Sequence, residues 1–294
     1  MKKKIKFLFC ICTRKRKNKL IKVIKSISDL KIRAKISIQV LIVQNEKKSK
    51  LKKIDLKTKI SNIIIVNEKN IGISFARNRC LKESSNIVFD YLVFLDDDCT
   101  IDKYWLIENL NFIKNNKYDI VTGPHISKNN FYLNILERKL KHNSQLRWAS
   151  TNNVIVKKKV LKKKKITFDT NIQFFGGEDQ LFFWKLKKKG YKIGWNSFAK
   201  VYDDSANFRI NFSWFVKRSF GYGCSSFHIY KEIYKNFAYL ISILKVFYDF
   251  LLFFFYLAIL PISPKSHFLK LIHYISRAFG CISSTFLKYN LKRY

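Results

Sequence analysis

A chain of 294 residues with a formal net charge of +38 carries 48% hydrophobic and 16% aromatic residues, enough apolar side chain to build a core and to exclude disorder despite the charge. Its cationic residues are 47 Lys and only 11 Arg, whereas a reader of bases or a clamp for phosphates leans on the planar, bidentate fork of Arg. The excess is therefore attributed to AT-rich coding bias and to attraction by an anionic membrane surface, and no nucleic-acid partner is expected.

The amino terminus superficially resembles a signal peptide, but Lys6 interrupts the apolar run and Thr13-Arg-Lys-Arg-Lys17 stands where a small-residue cleavage site would. Ile5–Cys12 is expected instead to be a first buried strand. Leu20, Val23, Ile24, Ile27 and Leu30 then follow the spacing of one helix face. Ile36–Val43 and Ile63–Val66 read as strands, Ser74–Lys82 as a helix and Tyr91–Leu95 as a fully apolar strand. Helical periodicity over Asp102–Lys114, a strand at Ile120–Val121 and a helix over Phe131–Leu146 follow. This alternation implies an α/β fold, a Rossmann-like and mostly parallel sheet with helices on both faces, which binds ligands at the carboxyl ends of its strands.

The last third differs. Phe237–Leu260 is nearly continuous aromatic and aliphatic sequence, broken by Lys245 and Asp249 and ended by Pro261 and Pro264. As a helix it rises about 36 Å, against a hydrocarbon core of about 30 Å, and Lys245 and Asp249, four apart, are placed to neutralise each other. His267–Leu287 is weaker, either an interfacial amphipathic helix or the return leg of a hairpin. The expected organisation is a catalytic domain over residues 1–230 and membrane-associated helices over 231–294. The six cysteines show no C-x-x-C pair and no His at zinc spacing, so neither disulfides nor a structural metal is indicated.

Only 20 residues are acidic, and three of them, Asp96, Asp97 and Asp98, directly follow the apolar strand Tyr91–Leu95. Adjacent carboxylates repel one another, so at the mouth of a buried strand they call for a cation, which suggests a hard divalent metal holding a phosphorylated ligand. A second cluster, Glu178 and Asp179, opens a helix after Gly176 and Gly177. Carboxylates are favoured at a helix N-terminus by its dipole, and a fixed, partly exposed one suits a general base.

These residues resemble glycosyltransferase family 2, with the GT-A nucleotide-sugar-binding fold, over roughly residues 5–225. Cys12-Thr-Arg-Lys-Arg16 is similar to the family's nucleotide loop, Asn70–Asn78 to its N-x-G…A-R-N segment, Phe94-Leu-Asp-Asp-Asp-Cys99 to its D-x-D motif and Gly177-Glu-Asp179 to its E-D motif. Asn152–Val156, Phe168-Asp169 and Val201–Asp204, followed by Arg209, Trp214 and Lys217-Arg218, look like a bacterial subgroup that builds surface polysaccharides and ends in hydrophobic helices. The resemblance implies an inverting transfer from a nucleotide-diphosphate sugar to a hydroxyl of a lipid-linked or polysaccharide acceptor, at the cytoplasmic face of the cell membrane. It implies Asp98 as the ligand of Mn²⁺ or Mg²⁺, and Asp179, with Glu178 beside it, as the catalytic base. Thr13, Arg14, Gln44, Asn45, Arg77, Asp96 and Asp97 are expected around the donor, and Trp148, Asn152 and Asn153 around the acceptor.

Two departures stand out. Val43-Gln44-Asn45 replaces the family's Asp at the nucleobase, where an amide can still serve as donor and acceptor. Asp203-Asp204 stands where many members place a metal-binding His; either offers an oxygen ligand, and the favoured expectation is that both are surface residues, since Mg²⁺ sites often use few protein ligands and keep waters. Two other readings compete: a membrane-tethered, basic nucleic-acid-binding protein without catalysis, and a nucleotidyltransferase on a similar fold. The second is disfavoured by the lack of a Gly-rich phosphate loop over Cys10–Leu20.

Overall fold

A computed structural model describes residues 4–287 except 33–34, 49–50, 53–55, 57, 128–130, 138, 163–165, 173–175 and 204–210. In chain order the elements are β1 (Ile5–Thr13), α1 (Lys17–Ser28), β2 (Ile36–Gln44), β3 (Ile63–Asn67), α2 (Ile73–Ser84), β4 (Tyr91–Asp96), β5 (Cys99–Ile101), α3 (Trp105–Asn115), β6 (Ile120–Thr122) and β7 (His125–Ser127). They continue with α4 (Phe131–Leu136), β8 (Gln145–Leu146), β9 (Asn153–Lys157), α5 (Lys158–Lys162), α6 (Glu178–Lys188), β10 (Ile193–Trp195), β11 (Val201–Asp203), α7 (Phe212–Tyr234), α8 (Ala238–Ala258) and α9 (Pro264–Phe286). The chain falls into two compact units, one of residues 1–128, 138–168 and 182–205, the other of residues 129–137, 169–181 and 206–294.

The first unit is built on a sheet in the order β3-β2-β1-β4-β9-β6-β10-β8. β1, β2, β3 and β4 are mutually parallel, β9 runs antiparallel between β4 and β6, and β10 is parallel to β6. Strand alternation divides the apolar residues between two faces. Phe7, Phe9 and Ile11 point one way, onto Leu20, Val23 and Ile24 of α1 and Trp105 and Leu106 of α3. Leu8 and Cys10 point the other way, onto Ala76 and Cys80 of α2 and Phe182, Phe183 and Leu186 of α6. The first four expected strands and the helices between them appear as read, because both periodicities are local properties of the chain.

The expected helix over Phe131–Leu146 is cut short. α4 ends at Leu136, and Gln145–Leu146 instead pairs with β10, Leu146 opposite Ile193. Asn143 adopts a left-handed backbone (φ 63°) and its carbonyl accepts a hydrogen bond from the Tyr118 hydroxyl, which ends any helical path into β8. A second, three-stranded sheet joins β5, β11 and β7, with Asp203 opposite Cys99 and Val201 opposite His125.

In the second unit α9 returns along α8 and packs on α7 as well, so His267–Leu287 is the return leg of a helical hairpin. The helical run Phe212–Ala258 is, among the described residues, the one long and apolar enough to cross a membrane, and only 11% of its most apolar window is buried. Leu240, Ile243, Leu244, Phe247, Leu251 and Phe254 of α8 are exposed. The buried side of α8 carries Asp249, which pairs with Lys245 as the spacing suggested and also accepts from Arg277 of α9, Nε to Oδ2 at 3.0 Å. A carboxylate that is 0% exposed needs such partners to offset its desolvation.

α7 and α9 cross at two glycines. A Cβ added at Gly223 would lie 2.1 Å from the Arg277 carbonyl oxygen, and one at Gly280 2.1 Å from that of Phe220. Each neighbour is backbone and cannot swing aside. Gly223→Ala and Gly280→Ala are each expected to destabilise the detergent-solubilised protein by about 1–3 kcal/mol, the usual range for overpacking. The double variant should lose less than the sum, because one separation of the helices relieves both clashes. Thermal melting checks this, and wild-type melting of either variant would rule out the close crossing.

Candidate active site

Strand register builds an acidic cluster at the carboxyl edge of the first unit's sheet. In the parallel trio, Thr13 lies opposite Gln44 and Cys12 opposite Asp96, so the ends of β1, β2 and β4 present Thr13, Gln44 and Asp96 along one carboxyl edge. The acidic turn Asp96–Asp98 follows. Thr13 donates its hydroxyl to Asp97 Oδ2 at 2.8 Å. Arg16 Nη1 bridges Asp97 Oδ1 at 3.0 Å and Asp98 Oδ2 at 3.1 Å. Arg77, on α2, places Nη2 3.5 Å from Asp96 Oδ1 and lies over the Phe168 ring. Asp97 and Asp98 are buried, whereas the Asp96 side chain is 39% exposed. Burial, chiefly, lifts the Asp97 carboxyl to about 6, against the pull of Arg16 and the Thr13 hydroxyl. A cavity of about 330 Å³ beside the turn is lined by Thr13, Arg16, Leu20, Gln44, Glu46 and Leu51.

The turn suits a divalent cation. Ligand atoms of Asp96, Asp98 and Cys99 lie within 4.8 Å of one another, and two guanidinium groups already press positive charge against the carboxylates. The carboxylate oxygens of Asp96 and Asp98 are the donor type that fits Mg²⁺ or Mn²⁺.

The carboxylate pair Glu178-Asp179 lies in the second unit. Gly176 (φ 80°) and Gly177 (φ 96°) hold left-handed conformations open to glycine and strained for other residues, and the turn they make leads into α6. Glu178 and Asp179 form the first turn of that helix, at the positive end of its dipole. Glu178 is buried, while Asp179 is partly exposed and its Oδ1 accepts from the Gln180 amide at 2.7 Å. Arg218 of α7 packs its guanidinium on the turn, so close that a Cβ at Gly176 would lie 2.8 Å from Nη1, and acts electrostatically on both Glu178 and Asp179.

The family model described as glycosyl transferase family 2 matches residues 8–182, more than half of the chain. The chain belongs to glycosyl transferase family 2. It is a glycosyltransferase, on a mixed α/β fold of the GT-A kind. Among curated proteins it is 23% identical over 227 residues to the succinoglycan biosynthesis protein ExoM of Rhizobium meliloti (strain 1021), covering 72% of this chain and 71% of that relative. Among solved structures it resembles S. aureus TarS 1–349, with a TM-score of 0.55 at 14% identity over 95% of this chain and 91% of that one. The same fragment in complex with UDP-GlcNAc gives a TM-score of 0.53 at 14% identity, with the same coverage.

Within this family 2 chain the structure gathers Thr13, Gln44, Arg77, Asp96, Asp97 and Asp98 at one edge, as the motifs suggested. Arg14 is exposed, and its neighbour Arg16 makes the contacts to the acidic turn. Lys15 between them has a left-handed φ of 54°, which turns the loop so that Arg16 faces inward. The Asn45 amide is used by the chain itself: it donates to the carbonyls of Glu68 (3.1 Å) and Asn70 (2.6 Å) and accepts from the Gly72 amide (2.7 Å), which shapes the 68–72 loop. The Asp203 side chain is 1% exposed and lies 3.7 Å from His125 Nε2, which corrects its expected place on the surface. Pairing of β11 between β5 and β7 buries it. Asp204 and Arg209 lie outside the described residues.

Trp148 and Asn152 are partly exposed, but Asn153 is 1% exposed. Its Oδ1 accepts from Trp105 Nε1 at 3.0 Å, and its Nδ2 donates to the carbonyls of Pro124 (3.0 Å) and Ala199 (2.8 Å). Asn153→Leu would strip a partner from three buried groups, each costing about 1–3 kcal/mol. It is expected to lower Tm sharply or prevent folding, whereas Asn152→Ala leaves Tm near wild type. Similar melting of both variants would remove Asn153 from the framework.

Proposed function

We propose that this protein transfers a sugar, with inversion, from a nucleoside-diphosphate sugar to a hydroxyl of a lipid-linked glycan at the inner face of the cytoplasmic membrane. The observation that carries the donor half is the meeting of Thr13, Gln44 and the acidic turn Asp96–Asp98 at one sheet edge in a family 2 chain. The relatives support the substrate class: one is named for succinoglycan biosynthesis, and TarS structures are described in complex with UDP and with UDP-GlcNAc.

In this reading the cavity beside Gln44 takes the nucleobase, and Asp96, the exposed member of the turn, takes the ribose. Asp98 would hold Mn²⁺ or Mg²⁺. Bound there, the ion supplies positive charge that offsets the departing diphosphate. Arg16 releases its hold on Asp98 as the donor arrives, and Arg77 keeps Asp96 oriented. Asp179 accepts the proton of the acceptor hydroxyl as its oxygen bonds to the anomeric carbon and the bond to the diphosphate breaks on the opposite face. Arg218 keeps the Glu178–Asp179 pair oriented for that role.

The test is release of nucleoside diphosphate by the full chain in detergent, with Mn²⁺, a set of UDP-, GDP-, CDP- and dTDP-sugars and a membrane lipid extract. One donor is expected to turn over, and Asp179→Asn to slow it by about 10²–10⁴-fold, the usual worth of a general base. Turnover with no donor, or wild-type rates in Asp179→Asn, would sink the assignment.

The membrane half rests on the exposed apolar face of α8. Replacing both Phe247 and Leu251 with Lys is expected to move the protein from the membrane pellet into the supernatant at high salt. Retention in the pellet at wild-type levels would contradict an α8 anchor.

A further inference from the structure

We propose that Cys99, His125 and Asp203 form a binding site for a zinc-class transition metal, next to the acidic turn that carries the oxygen ligands. The three residues come from the three strands of the small sheet, and register puts them on one face. Cys99 is paired directly with Asp203, and His125 is paired with Val201, two residues along the same strand from Asp203. Paired residues share a face, and a diagonal neighbour is within reach of a long side chain.

The distances suit one small ion. Cys99 Sγ lies 3.4 Å from His125 Nε2, and His125 Nε2 lies 3.7 Å from Asp203 Oδ2. One ligand atom from each residue falls within 4.8 Å of both others. With metal–sulfur bonds of about 2.3 Å and metal–nitrogen bonds of about 2.0–2.1 Å at a tetrahedral angle, the sulfur–nitrogen edge is about 3.6 Å. The 3.7 Å separation between imidazole and carboxylate is too long for a hydrogen bond between them, yet it is spanned by two bonds to a metal.

Burial points the same way. Cys99 is 0% exposed and the Asp203 side chain 1%, so the Asp203 carboxylate lies out of water beside the thiol, which is costly unless positive charge lies against it. The His125 side chain, 25% exposed, leaves the way in. Thiolate, imidazole and carboxylate together form a borderline-soft donor set that takes Zn²⁺ or Co²⁺ in preference to Mg²⁺. On binding, the Cys99 thiol gives its proton to solvent and its sulfur bonds the metal. Three protein ligands leave a fourth position, and Asp98, with Oδ1 3.8 Å from Cys99 Sγ, is the neighbouring group on the acidic turn.

The test is a Co²⁺ titration of the metal-stripped full chain in detergent, read by absorbance. A thiolate-to-cobalt charge-transfer band is expected, saturating at one equivalent, bleached by one equivalent of Zn²⁺ and untouched by a large excess of Mg²⁺. Cys99→Ser should abolish the band, whereas Cys80→Ser should keep it. If Cys99→Ser fails to fold, His125→Gln serves, with Co²⁺ affinity expected to fall at least tenfold while UDP binding is retained. Absence of the band in the wild type, its survival in Cys99→Ser, or unchanged affinity in His125→Gln would overturn the site. The band does not depend on sugar transfer. Turnover without the band defeats only this metal site, and the band without turnover defeats only the transfer assignment above.

Discussion

Three consecutive carboxylates at the end of a buried strand repel one another, and the first unit is arranged around containing that repulsion. Parallel pairing of β1 with β2 and β4 brings Thr13 and the loop that follows it against the acidic turn. The Thr13 hydroxyl and the Arg16 guanidinium then neutralise Asp97 and Asp98, while Arg77 faces Asp96 from α2. Two of the three carboxylates are nearly out of water, where an uncompensated charge would be prohibitive. The apolar strands beneath supply the rigidity that keeps the groups in place, since register leaves the edge residues no freedom to slide.

The second unit solves a different problem with similar means. The outer face of α8 is apolar, and hydrophobic burial alone would not fix the register in which the unit's helices pack. Two devices do so. Glycines at the α7–α9 crossing let backbone approach backbone, and the buried Asp249 ties Lys245 of its own helix to Arg277 of the next. The same unit carries the Gly176–Gly177 turn and the carboxylates of Glu178 and Asp179, with Arg218 of α7 packed against them. The segment after the family 2 core thus sets a guanidinium against the carboxylate pair.

Much of this was legible in the chain. Period-2 runs and one-sided helix stripes located the first strands and helices because those patterns are local, and the two acidic clusters stood out against a basic background. The Lys245–Asp249 pair was also readable, since a four-residue spacing on a helix is local. The strands β5, β7, β8, β9 and β10 were not, because none of them was marked off by the local pattern that set out β3 and β6. The sequence Phe131–Leu146 has helical spacing throughout, yet its last residues pair with a strand nearly fifty residues away.

The order of residues by itself determined the α/β class, the acidic turn, the carboxylate pair at a helix start and the long apolar tail, all set by neighbours within a few positions. Tertiary structure alone decided which polar side chains face the site and which hold the frame. It turned Arg16 inward and left Arg14 in solvent, bound Asn45 to its own loop and buried Asn153 behind Trp105. It also brought Cys99, His125 and Asp203 together, three residues with no metal-binding spacing along the chain. Their meeting depends on the register of three strands, and register is fixed by packing across the whole sheet rather than by the residues on either side of each ligand.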